Sequence, residues 1–306
     1  MKKMYDLKRA VRNDGNRMKQ QKKGTMEYLT FPLLENTGMV KHLFTTRTGG
    51  FSEGMFSSLN LNFDRGDDPE KVRSNYERVA EVLDCSINDF VLSQQTHTTN
   101  IRLVDESDKG NGIFGPSAYQ DVDGLITNTK GIVLVTSYAD CVPLYFVDPV
   151  KEAIGLAHSG WKGTVGRMGK YMVRAMQEQF GSNPEDILVA IGPSICQDCY
   201  EVSEEVANAF LSLFGELAQY EEEILESGYR GGYQGNGIQM VAPGVTKGKY
   251  QLDLWLANAV ILRNAGIMLS NIAITDVCTC HNPEYLFSHR ASEGKRGNLS
   301  AFLGLQ

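Results

Sequence analysis

The chain has 306 residues, 42% of them hydrophobic and 22% charged, with a formal net charge of -7 and a pI near 5.4. That is enough apolar material for one large core or two modest ones. It carries too little basic charge for a nucleic-acid partner, and no apolar run of about 18 residues that would span a membrane.

Residues 1–25 are polar and basic, with no apolar run behind the charges. They read as a solvated arm, dispensable to the fold and not an export signal. Folded patterning begins at Tyr28 with YLTFPLL. HLFTTRTGG (42–50) predicts a strand entering a Gly-Gly turn. Over 67–83 the spacing predicts a helix capped by Asp67 or Asp68, with Pro69 in its first turn. Val72, Tyr76, Val79 and Leu83 form its apolar face. Strands are expected at 90–97, 123–128, 131–148 (broken near Ala139–Pro143), 152–160 and 187–195. Helices are expected at 160–180, 202–214 and 252–267, the last closed by Gly266. A strand at 271–279 precedes a tail of strands and turns, and residues 217–250 show no pattern. Nothing divides 26–306, so the economical fold is α+β, a single domain on a mixed β-sheet with flanking helices, preceded by the arm.

Six cysteines and five histidines are present. The compartment expected is the cytoplasm, where thiols stay free, metal-bound or catalytic. His97 ends the strand FVLSQQTH. Cys141 lies in SYADCVPL, where a strand breaks before Pro143. His158 ends EAIGLAH, ahead of the turn SGWKG. Each is a metal-ligating residue type at the exit of an apolar strand, where a rigid scaffold presents functional side chains. Two imidazoles and a thiolate suit zinc or copper and leave a fourth position open. Taken singly, a strand-end histidine is more often merely hydrogen-bonded, and a lone cysteine is usually a small hydrophobe. Cys196 and Cys199 (C-x-x-C) with Cys278 and Cys280 (C-x-C) have zinc-compatible chemistry but irregular spacing, and reduced thiols are the simpler reading. His42, His281 and His289 show no partner pattern.

The blocks HLFTTRTGGFSEGMFSSLNL, VLSQQTH, SYADCVPLYF, GLAHSGWKG, IGPSICQDCYEV and LFSHRASEGKRG stand in the order of one family. The chain resembles the multicopper polyphenol oxidase or laccase-domain family, bacterial relatives of the FAMIN purine nucleoside phosphorylase, over roughly 40–303. The resemblance implies that His97, Cys141 and His158 ligate the metal, Zn2+ with Cu2+ as the other choice. Thr98, Ser159 and Lys162 depart from the family's usual residues and lie outside the ligand set. The family's older name implies copper oxidation of phenols, but a multicopper relay needs many more histidines than five. The newer reading implies phosphorolysis of purine nucleosides, methylthioadenosine included, and deamination of adenosine.

For deamination, Asp140 is the nearest carboxylate, useful only if the strand breaks beside Pro143. A turn or capping role is equally open. For phosphorolysis, Arg47 and Arg296 are candidate anion residues, with the helix start in SGWKGTVG. Trp161 is placed to stack on a base or to pack. On this reading Cys141, Asp140 and Arg47 are catalytic, and Arg47, Trp161 and Arg296 bind substrate. The partners are purine nucleosides and phosphate, with no nucleic acid or membrane, and the oligomeric state stays open. The alternative is a cysteine hydrolase with Cys141 as nucleophile and His158 as base.

Overall fold

The computed structural model describes residues 4–10, 17–229, 231 and 239–306. Two six-stranded mixed sheets face each other at its centre. The strand order in the first is Lys19–Lys23, Met26–Thr30, Val40–Thr45, Leu299–Leu305, Val133–Tyr138 and Phe90–Leu92. Its neighbours are antiparallel except the last pair. The second runs Ile272–Ile274, Leu188–Ile191, Val142–Asp148, Ala153–Ser159, Gly124–Thr127 and Ile101–Leu103. Its two outermost pairs are parallel. A small third sheet joins Glu201–Ser203, Lys249–Leu252 and Val241–Pro243.

The strands alternate with period two, and both faces are buried. Leu134, Leu299, Ala301 and Leu303 meet Tyr145, Val147 and Leu156 between the sheets. Val133, Val135 and Phe302 point the other way, against Val72, Tyr76 and Val79 of the helix Pro69–Leu83. From the second sheet, Val142, Leu144 and Phe146 pack toward the helices Met168–Phe180 and Leu254–Asn264. The layers are therefore helix, sheet, sheet, helix. Each fully buried Leu, Val or Phe contributes about 1.5–3 kcal/mol relative to exposure, so the doubly covered strands are the stable frame of the site.

The α+β class and the flanking helices agree with the sequence. The helix Pro69–Leu83 starts at Asp68, whose side chain accepts the Glu70 N–H at 3.0 Å. Other expectations need correction. The single mixed sheet is two facing sheets, and the chain crosses between them where one broken strand was expected, between Val133–Tyr138 and Val142–Asp148. The helix expected over 160–180 is two, Trp161–Val165 and Met168–Phe180, parted where Arg167 takes a left-handed φ of 62°. The region 217–250 holds the helix Ala218–Glu226 and strands from Val241 and Lys249; residues 230 and 232–238 lie outside the described residues.

The solvated arm is also corrected, apart from residues 1–3 and 11–16, which lie outside the described residues. Lys19–Lys23 pairs along Met26–Thr30 as an edge strand, and Ala10 and Met18 are core residues. Tyr5 stacks on Tyr285 with centroids 4.6 Å apart, and Arg9 pairs with Asp276 at 2.7 Å. The run KQQKK reads as solvated because an edge strand carries its lysines outward. No helix among the described residues is long and apolar enough to cross a membrane.

Candidate metal centre

His97, Cys141 and His158 converge, with a donor atom of each within 4.8 Å of the others. His158 lies near the end of Ala153–Ser159, in register with Pro143 on the neighbouring strand. Cys141 therefore sits just outside that ladder. His97 reaches in from the loop after Phe90–Leu92. Both loops bend sharply: His97 has φ 67° and Asp140 φ 85°, left-handed values uncommon outside glycine. Gly160 makes room, since a Cβ there would lie 3.0 Å from Cys141 Sγ and 3.1 Å from His97 Cδ2.

Asp123, which the sequence showed only as the start of a strand, organises both histidines. Its Oδ1 accepts from His97 N at 3.1 Å and pairs with His158 Nδ1 at 2.8 Å. Its Oδ2 accepts from Thr96 N, Thr98 N and Thr98 Oγ1 at 2.9–3.1 Å. The carboxylate is fully buried. Burial works against its charge, but the bonds to His158 and to the 96–98 backbone hold its pKa below the ordinary value. With Nδ1 engaged, His158 turns Nε2 toward the thiol.

The same two histidines act on the thiol. Burial pushes Cys141 up, yet His158 and His97 more than offset this and bring it down to about 6. Burial likewise opposes a charged His158, while the Cys141 thiolate and Asp123 raise it to about 9. Cys141 Sγ lies 4.0 Å from His97 Nε2, close to the ~3.5 Å between two donors sharing one tetrahedral ion at ordinary bond lengths. The donor set fits a divalent cation: an ionised thiolate, an imidazole with a fixed tautomer and a second imidazole. His97 is exposed and Cys141 half-buried, so the fourth position faces outward.

It faces a cavity of about 640 Å³ whose walls include Asp140, Trp161, Tyr200, His289 and Arg296. Asp140 accepts from Thr279 Oγ1 at 2.6 Å and from Arg290 N at 2.7 Å, so both carboxylate oxygens are fixed. Arg296 donates through Nη1 to Gly297 O and Asn298 Oδ1, while its buried Nε has no partner among the described residues. Burial and neighbouring Arg65 push its pKa down to about 10. The structure does not bring Arg47 here. Its guanidinium lies over Phe287 and donates to Ser57 O and Pro283 O, both at 2.8 Å. It braces two loops because their carbonyls already occupy the donors expected for phosphate. The helix expected to present its N-terminus is only the five-residue turn Trp161–Val165, too short for a strong dipole.

A cavity lined by a His–His–Cys donor set that could hold a metal ion has the make-up of a small-molecule site. The family model described as multi-copper polyphenol oxidoreductase laccase matches residues 41–306, and the chain belongs to that family. It is 36% identical to purine nucleoside phosphorylase YlmD of Bacillus subtilis over 264 residues, 86% of this chain and 87% of that protein. It is 33% identical to adenosine deaminase RL5, from an unknown prokaryotic organism, over 253 residues, 82% of this chain and 88% of the other. The crystal structure of YlmD from Geobacillus stearothermophilus matches with a TM-score of 0.80 at 34% identity, covering 95% of this chain and 99% of that one.

Proposed function

We propose that the chain is a zinc-dependent purine nucleoside phosphorylase that also deaminates adenosine and cleaves methylthioadenosine. The observation that carries this reading is the cavity lined by His97, Cys141 and His158 together with Arg296. The names of the relatives agree with it.

A zinc held by the three side chains would supply Lewis acidity and activate an oxygen nucleophile near neutral pH. The protein does the rest. Asp123 fixes the face His158 presents. Trp161 and Tyr200 offer aromatic surface for a purine. Arg296, which lines the cavity with its Nε unpartnered among the described residues, is the phosphate residue. Asp140, oriented by Thr279 and Arg290, is the proton acceptor for ring attack.

One observation favours the cysteine hydrolase: Cys141, His158 and Asp123 also form a nucleophile, base and orienting carboxylate. Such a triad has no use for His97, which a shared ion explains. The deciding experiment is a nucleoside panel with and without phosphate, on protein of known metal content. Expected are phosphate-dependent release of free base and phosphate-independent formation of inosine, both lost on stripping the metal and restored by zinc. Activity that survives stripping and falls on thiol alkylation would transfer the reading to the hydrolase. No turnover by the metal-loaded protein would remove the nucleoside reading.

A further inference from the structure

We propose that Cys196, Cys199, Cys278 and His281 form a second metal site, a structural zinc centre that shares no ligand with the first. It does not rest on the nucleoside reading. One donor atom of each residue lies within 4.8 Å of the other three. Cys196 Sγ is 3.4 Å from His281 Nδ1, and Cys199 Sγ is 3.5 Å from the same nitrogen. The Cys196 N–H donates to Cys278 Sγ at 3.3 Å. Cys196 and Cys278 are fully buried, and the other two are half-buried.

The backbone explains the convergence. Cys196 caps the tight turn Gln197–Cys199, so the C-x-x-C pair folds back on itself, and the Cys199 N–H reaches Cys196 O at 3.1 Å. Ser194 bridges to Cys278, laying the second segment alongside. A turn after Cys278 then brings His281, rather than Cys280, to the fourth corner. Cys280 stays outside the set.

Three sulfurs and one imidazole are a complete tetrahedral set for zinc, with no position left for water or substrate. That composition marks a structural site. A disulfide would account for two of the thiols but not for the third or for the imidazole beside them. The four donors tie together segments 82 residues apart in sequence. The same segments carry the first cavity's wall: Ile195 and Tyr200 flank the C-x-x-C turn, Thr279 holds Asp140, and the Arg290 side chain donates to Cys199 O at 3.0 Å. Zinc here would fix that wall without touching substrate.

The test is cobalt titration of the full chain carrying Cys141→Ala. This variant removes the first site's single thiolate, so any thiolate-to-cobalt charge-transfer band must arise elsewhere. Expected are a strong band saturating at one cobalt per chain, and one zinc ion per chain in the same variant purified under reducing conditions. His281→Ala in that background should weaken cobalt binding by about tenfold or more, while Cys280→Ser leaves it unchanged. Absence of the band would overturn the site. So would a disulfide among Cys196, Cys199 and Cys278 in the reduced, zinc-supplied protein, or a Cys141→Ala chain that holds no zinc. Loss of binding in Cys280→Ser but not in His281→Ala would overturn the assignment of the fourth ligand.

Discussion

Asp123→Asn keeps the side chain's size but replaces one of two accepting oxygens with a donor. The native carboxylate holds five hydrogen bonds, three on Oδ2 and two on Oδ1. An asparagine can keep the three with its oxygen, but its amide then faces the His97 N–H and His158 Nδ1. His158 can meet that donor only by moving its own proton to Nε2, the atom that would bind the metal. Hydrogen bonds to charged groups are worth about 1.5–3 kcal/mol each, and a buried donor facing a donor adds a penalty. Allowing for relaxation, the net loss on metal binding is about 2–3 kcal/mol, or about 30- to 150-fold in affinity. Competition against a chromophoric chelator measures this directly. Asp121→Asn is the control, because Asp121 is exposed, its carboxylate accepts among the described residues from Thr96 Oγ1, and its own N–H donates to Gln94 Oε1. An affinity for Asp123→Asn within about threefold of the unaltered protein would refute the orienting role.

In metal-free protein, alkylation of Cys141 should rise through about pH 6 rather than near 9, following its lowered pKa. The lowered thiol stabilises the fold at high pH and loses that effect as pH falls through about 6; the raised His158 stabilises at low pH and loses it as pH rises through about 9. The two effects oppose each other between those values, where the pair binds one proton whether folded or unfolded, so the metal-free melting temperature should be nearly level across that window, and a steep slope there would contradict the ion pair. Arg296→Ala should weaken phosphate-dependent cleavage by about tenfold at limiting phosphate and affect deamination less. Arg47→Ala should instead lower the melting temperature with the phosphate response unchanged; equal losses in both activities for Arg296→Ala would remove its assignment. Deleting residues 1–25 should cost about 3 kcal/mol or more in urea unfolding, since Met18, Ala10 and an edge strand are lost. An unchanged midpoint would show that this packing contributes nothing.

The convergence of the three donors was legible chiefly through the family resemblance, since a strand-end histidine or a lone cysteine is by itself an ordinary feature. Asp123 was not: an aspartate before Gly124 looks like any turn residue, and only the fold shows its carboxylate between two histidines. The α+β class followed from periodicity, but the number of sheets did not. Strands buried on both faces, such as Val142–Asp148, read as continuous apolar runs that do not say which layer they belong to. His281 was passed over because pairing by spacing favoured Cys278 with Cys280, whereas the turn brings together positions three apart. Arg47 looked like an anion residue beside its glycines, and only the structure shows the carbonyls that occupy it.

The strand Leu299–Leu305 fills the gap between Val40–Thr45 and Val133–Tyr138, and its Ser300 N–H reaches a Thr45 hydroxyl 255 residues away in sequence. Until it inserts, two apolar strands present open edges, which invite aggregation. Closing so long a loop costs entropy before the contacts form, so insertion comes late in folding. The same strand sets the register of Tyr138, and Asn298 beside it holds Ser137, just ahead of the turn that delivers Cys141.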